Sequence, residues 1–222
     1  MRPLVIFDLD NTLVDRAAIF DDWAAGFASA QGLDHEPTLA WLRGADDDGF
    51  SPRETFFERV RRRFAIDDSV EGLLDQFRTF QTDHFRCRAE VAAALSTLRD
   101  AGYALGIATN GSSWQEAKMR AAGLDRLVDG WAVSSLAGFG KPDPRIFALV
   151  AERCGSTLDS AWVVGDRPDA DIAGAVAIGA RSIWIHRGLA WTDWAYAPTF
   201  AAASPEEAAH IVLAVDAAAP RR

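Results

Sequence analysis

Cysteine is nearly absent: Cys87 and Cys154 are the only two in 222 residues, and neither lies in a Cys-x-x-Cys pair or beside clustered histidines. That scarcity speaks against a disulfide framework or a zinc site, and both are expected to be buried or half-buried free thiols. Long apolar runs are also missing. No stretch approaches the ~20 residues needed to cross a bilayer, and Met1-Arg2-Pro3 leads straight into a short apolar segment without a signal sequence. A soluble, cytoplasmic protein with no membrane partner is expected. Positive charge is in deficit, with a net charge of −9, which argues against a nucleic-acid surface, because phosphate backbones are held by many basic side chains. Arg59, Arg61, Arg62 and Arg63 form the one basic cluster. Consecutive helical positions fan around the axis, so a solvated helix face is expected there, not a single patch. Lysine is scarce as well. Lys118 and Lys141 are the only two, which makes the position of each worth asking about.

What is present is an ordinary globular composition, 49% hydrophobic and 25% charged, long enough for one substantial domain or for a domain carrying an insertion. Leu4-Val5-Ile6-Phe7 reads as a strand buried on both faces. From there to about residue 85 the apolar spacing becomes helical: Phe20, Trp23, Ala24 and Phe27, then Phe57, Val60 and Phe64, then Val70, Leu73, Leu74 and Phe77. This predicts a small helical bundle, interrupted by a polar loop at Gly44 to Pro52, with a helix start at Ser51 (cap) and Pro52 (first turn). Asp46-Asp47-Asp48 is expected to solvate that loop, because a calcium site would need alternate ligands and a closing Glu.

From Arg88 the chain alternates. Helices are predicted from Arg88 to near Gly102 and over Ser113 to Ala122, Pro144 to Cys154, Pro168 to Gly179 and Ser204 to about Asp216. Strands are predicted at Tyr103 to Ala108, Trp131 to Val133, Ala161 to Val164 and Ser182 to Ile185. Such alternation implies right-handed crossovers and a parallel sheet with helices on both faces. Trp191 and Trp194, in an irregular stretch, are expected to pack over the core.

Polar segments follow the apolar strands. Asp8-Leu9-Asp10-Asn11-Thr12 offers a carboxylate able to act as nucleophile and a second, two positions on, able to handle protons. Thr109-Asn110-Gly111-Ser112 offers donors for phosphate oxygens at a helix start. Lys141, in Gly140-Lys141-Pro142-Asp143, can neutralise a phosphoryl group, and Gly165-Asp166-Arg167-Pro168-Asp169-Ala170-Asp171 gathers acids suited to Mg2+. In a parallel sheet all the strand carboxyl ends open on one edge, so these four segments converge on one crevice. Each alone is compatible with a turn or a helix cap; together they supply a complete reaction site.

The chain resembles the haloacid dehalogenase (HAD) superfamily of hydrolases. Its D-x-D-x-T motif matches Asp8, Asp10 and Thr12; its second-motif Thr or Ser matches Thr109; its Lys before a helix matches Lys141; and G-D-x-x-x-x-D matches Gly165, Asp166 and Asp171. The resemblance implies a Rossmann-like core over residues 1–14 and 86–222, and an all-helical C1 cap over 15–85 that closes over the site. It further implies a Mg2+-dependent phosphatase acting on a small phosphorylated metabolite. Asp8 would be the nucleophile, Asp10 the acid and base, Thr109, Asn110, Gly111 and Lys141 the phosphate cradle, and Asp8, Asp10 (through its carbonyl), Asp166 and Asp171 the metal set. Alternatives are a 2-haloacid dehalogenase, in which the residue matching Asp10 is not an acid, a phosphosugar mutase, and a non-catalytic phospholigand-binding module. Arg43, Arg53, Trp41 and Phe50 are candidates for substrate selection.

Overall fold

Four apolar residues in a row, Leu4–Phe7, form the central strand β1 of a six-stranded sheet in a computed structural model that describes residues 1–192 and 195–218. The other strands are β2 (Ala104–Thr109), β3 (Gly130–Val133), β4 (Trp162–Gly165), β5 (Arg181–Ile185) and β6 (Phe200–Ala202). Their order is β3-β2-β1-β4-β5-β6, every pair parallel. Because β1 is flanked by β2 and β4 and covered on both faces, all four of its residues are buried and none needs to be polar. Register sets the edge: Phe7 stands opposite Ile107 and Val164, so the segments after β1, β2 and β4 emerge side by side.

Alternation divides the sheet faces. Leu4, Ile6 and Val163 pack with Ile146, Phe147 and Val150 of helix α8 (Pro144–Arg153). Trp162, one residue away, donates its indole N–H to Asp216 of α10 (Pro205–Ala218) on the opposite face, where α10 lies against α5 (Ala89–Asp100). Helices on both faces of a parallel sheet make this an α/β, Rossmann-like core. Two further short elements, α6 (Trp114–Ala121) and α7 (Ser134–Ala137), follow β2 and β3. The segment expected as one helix from Pro168 to Gly179 instead begins with a wide π-type turn at Pro168–Ile172 and becomes α9 only at Ala173–Ala177. Strand β6 is only three residues long, with Phe200 and Ala201 exposed at the sheet edge and Ala202 buried, and its pairing with β5 defines it.

The chain separates into two compact units, Met1–Val14 with Arg86–Arg222, and Asp15–Phe85. The second is built from α1 (Arg16–Ala30), α2 (His35–Asp46), α3 (Arg53–Phe64) and α4 (Val70–His84). Its core is aromatic: Trp23 lies 4.9–6.0 Å, centroid to centroid, from Phe20, Phe27, Phe56, Phe57 and Phe77. The Phe27 pair is stacked and the other four are tilted or edge-on, the latter arrangement favoured because ring faces are negative and ring edges positive.

Several expectations for this unit need correction. Asp46 does not solvate a loop: it is 2% exposed and accepts from Arg16 at 2.6 and 2.7 Å and from Arg53 at 2.7 Å, since α2 runs on to residue 46 and carries that carboxylate inward. Ser51 is not a helix cap either; its hydroxyl donates to the Ala45 carbonyl at 2.6 Å, and α3 starts after Pro52. Arg59, Arg62 and Arg63 do share a patch. With Trp41 they line a surface cavity of about 330 Å³, because positions 59, 62 and 63 stand at i, i+3 and i+4 and these three fall on one helix face.

Both cysteines are free thiols, Cys87 half-buried and Cys154 buried; burial, then Asp129, pushes the Cys154 thiol up to about 11. Trp191 packs edge-on against Trp184, centroids 5.0 Å apart, and Trp194 lies outside the described residues. No helix among the described residues is long and apolar enough to cross a membrane.

Candidate active site

Strand β1 ends at Phe7, and the Asp8 N–H still donates to the Val164 carbonyl of β4 at 2.8 Å, which fixes the Asp8 backbone at the sheet edge. The chain then turns sharply. Asn11 adopts a left-handed φ of 59°, a conformation that Asn tolerates better than most residues, and its N–H donates to the Val14 carbonyl at 2.7 Å. Asp8 and Asp10 both emerge from this tight turn. Thr12 is 5% exposed, and its hydroxyl has no hydrogen-bond partner among the described residues.

Lys141 reaches Asp8 from the loop before α8. Its ammonium group lies 2.5 Å from Asp8 Oδ1 and 2.6 Å from Asp171 Oδ1, with all three side chains buried. Asn110 holds that loop. Its amide donates to the Lys141 carbonyl at 2.9 Å and accepts from the Lys141 N–H at 2.8 Å, so the Asn110 side chain aligns the lysine. The Gly111 N–H donates to Ser134 Oγ at 2.9 Å, which ties the loop after β2 to α7.

Asp171 is fully buried, and its second oxygen accepts from the Arg167 N–H at 3.0 Å. The carboxylate fits there because residue 165 is glycine; a Cβ on Gly165 would lie 2.2 Å from Asp171 Cγ. Asp166, 8% exposed, pairs with Arg187 at 3.1 Å, and its carbonyl accepts from the Trp184 indole at 2.8 Å.

Oxygens of Asp8, Asp166 and Asp171 lie within 4.8 Å of one another. Lys141 contacts two of these three buried carboxylates, Asp8 and Asp171, and Arg187 pairs with the third, Asp166. Burial, together with Asp171 and Asp166, drives Asp8 well above the usual carboxylate range although Lys141 pulls the other way. Burial opposes the Lys141 charge in turn, but Asp171 and Asp8 outweigh it and raise that group. An all-oxygen donor set with surplus negative charge fits a hard divalent cation such as Mg2+. Asp171 has both oxygens engaged, leaving Asp8 and Asp166 as the better placed carboxylates.

Two residues at this edge were not anticipated as site residues. Lys118 of α6, 5% exposed, donates to both oxygens of Asp10 at 2.8 Å. Gln115, one turn earlier, donates to Asp10 Oδ2 at 2.8 Å and to Thr109 Oγ1 at 2.7 Å. The scarcity of lysine was the only signal in the sequence: both lysines of the chain bind site aspartates. The four substrate-selection candidates are placed within the helical unit. Arg53 is tied to Asp46, Arg43 pairs with Asp21 at 2.7 Å, Trp41 packs edge-on against Phe64 at 5.2 Å, and Phe50 is 53% exposed.

Comparison with known proteins identifies the family and the fold. Residues 3–179 match the haloacid dehalogenase-like hydrolase family. The chain is 37% identical over 141 residues to a phosphoserine phosphatase of Thermus thermophilus, which covers 60% of this chain and 56% of that protein. It is 30% identical over 191 residues to a phosphoglycolate phosphatase of Mesorhizobium japonicum, covering 80% of each. A (S)-2-haloacid dehalogenase of Burkholderia cepacia also matches, 29% identical over 138 residues, 62% of this chain and 58% of that one. In fold it is similar to the HAD-hydrolase YfnB of Bacillus subtilis, with a TM-score of 0.78 at 23% identity, covering 95% of this chain and 98% of that structure. The match runs through β1, the turn bearing Asp8 and Asp10, and the loops bearing Thr109, Lys141, Asp166 and Asp171, and the chain belongs to the haloacid dehalogenase-like hydrolases.

Proposed function

We propose that this hydrolase is a Mg2+-dependent phosphatase that cleaves a small-molecule phosphomonoester through an aspartyl-phosphate on Asp8. The observation that carries the reading is the buried contact of Asp8 with Lys141 beside Asp166 and Asp171, with a second carboxylate, Asp10, on the same turn. An Asp8 oxygen attacks phosphorus, the bond to the leaving oxygen breaks, and Asp10 gives that oxygen a proton. Asp10 then takes a proton from the water that attacks the aspartyl-phosphate, releasing inorganic phosphate and restoring Asp8. Lys141 faces Asp8 and, with the Thr109 hydroxyl, offsets charge on the phosphoryl oxygens. Asp8 and Asp166, with Asp171 and the Asp10 carbonyl beside them, would hold Mg2+, which when bound supplies further neutralisation of phosphoryl charge.

Relatives include both phosphatases and a haloacid dehalogenase. A halide leaving group needs no proton, whereas an alkoxide does, so the proton-handling position held by Asp10 favours phosphoryl transfer. A phosphosugar mutase would differ only in the acceptor. The test is phosphate release from p-nitrophenyl phosphate and a panel of phosphometabolites, with Mg2+ or EDTA, using wild type and Asp8→Asn. Release is expected only with Mg2+ and only in the wild type; near-normal turnover by Asp8→Asn overturns the covalent mechanism.

A further inference from the structure

We propose that Lys118 and Gln115 are positioning residues that lock the Asp10 carboxylate and the Thr109 hydroxyl into one frame, aligning proton transfer with phosphate binding. The inference rests on the phosphatase reading of Asp10. It starts from a hydrogen-bonded chain that crosses from β1 to β2: Lys118 Nζ to both Asp10 oxygens, and the Gln115 amide to Asp10 Oδ2 and Thr109 Oγ1. Both donors sit on α6, one turn apart, on the same helix face. Both are 5% exposed.

Each link restricts the next. The Asp10 side chain is 23% exposed, and a carboxylate that accessible would otherwise sample several rotamers. Two donations from a buried ammonium and one from an amide leave it one orientation. A hydroxyl has one hydrogen to donate. Because Thr109 Oγ1 already accepts from Gln115, its own hydrogen is directed elsewhere, free for a phosphoryl oxygen. The sidedness of Gln115 follows as well: an amide N–H₂ can serve both acceptors at once, and a Glu at this position could serve neither while ionised. α6 thus ties an acid on the turn after β1 to a phosphate donor at the end of β2, and neither segment alone determines the spacing between them.

The reading separates from a purely structural role through the leaving group. Phenyl phosphate and p-nitrophenyl phosphate share a ring, but the phenyl oxygen is the poorer leaving group and depends more on proton donation by Asp10. With Mg2+ present, Lys118→Met should lower kcat/KM for phenyl phosphate by about 10- to 100-fold, the size expected when a catalytic group is displaced by about an ångström. The loss on p-nitrophenyl phosphate should be much smaller. In an Asp10→Asn background, Lys118→Met should add no further loss, and Lys118→Arg, which keeps the charge and a donor, should recover part of the rate. Equal losses on both substrates, or losses that add to that of Asp10→Asn, overturn the proposal. If Lys118→Met fails to fold, Lys118→Arg and Gln115→Leu carry the same comparison. Wild type inactive on both substrates and on the panel of phosphometabolites would instead overturn the phosphatase reading itself.

Discussion

Asp8 is subject to opposing demands. As the proposed nucleophile it must be ionised, yet burial and two neighbouring carboxylates raise its pKa well above the usual range. Lys141 offsets only part of this, which is why a divalent cation is expected to be needed for turnover as well as for binding. Asp10 lives in a different setting, partly exposed and clasped by Lys118. Asp10→Asn keeps the side-chain size and removes proton exchange, so kcat should fall by about 10²- to 10⁴-fold, the usual contribution of general acid–base catalysis, while Mg2+-dependent phosphate binding, followed by calorimetry, stays near wild type. A loss confined to binding would assign Asp10 a structural role. At this scale the sequence was informative about which residues converge and silent about how they pair. The D-x-D spacing placed both carboxylates on one turn; that Asn110 serves the Lys141 backbone, and that Lys118 serves Asp10, depends on segments 31 and 108 residues apart in the chain.

Among the elements, α10 shows how a helix distant from the site is fastened to the sheet. Asp216 accepts from Tyr103 at 2.6 Å, from Trp162 at 3.3 Å and from Arg181 at 2.5 Å. Burial alone would raise its pKa, but these three hydrogen bonds outweigh that and hold it below the ordinary carboxylate value of 3.8. A carboxylate depressed in the folded state contributes stability that is fully present above its unfolded value and is lost as pH falls through the folded one. Asp216→Ala should therefore destabilise the protein by about 1–3 kcal/mol at neutral pH, and the gap between its denaturation midpoint and that of wild type should close as pH drops below 3.8. A gap that stays constant with pH would show that packing, not the ionised carboxylate, is what the substitution removes. Element boundaries were legible wherever apolar period was strong, as in β1, β4 and α8. They were lost where pairing or packing made the element: β6 exists only because β5 offers it an edge, and the π-type turn at Pro168–Ile172 forms where Asp171 is drawn inward to meet Lys141 and the Arg167 N–H.

For the molecule as a whole, the surplus of negative charge is concentrated as well as net. The chain carries −9, and three of its carboxylates lie within one 4.8 Å cluster. A cation bound there engages the folded chain and not the unfolded one, so Mg2+ should raise the thermal midpoint in the manner of any ligand specific for the native state, by about 2.7 kcal/mol of stability at a hundredfold excess over its Kd. Asp166→Asn should abolish most of that shift, and an identical shift in both proteins would place the bound ion elsewhere.

The sequence by itself determined the α/β class, the central buried strand and the four polar segments that share the sheet edge, though not Lys118 and Gln115 of α6, because strand burial and the common direction of parallel strands follow from apolar patterning and chain order. Tertiary structure alone decided the partners: which lysine faces which aspartate, the burial of Asp46 between two arginines, and the gathering of Arg59, Arg62 and Arg63 around Trp41. Those pairings join residues that patterning treats as independent, and they are fixed only when side chains from separate elements compete for the same few buried hydrogen bonds and charges.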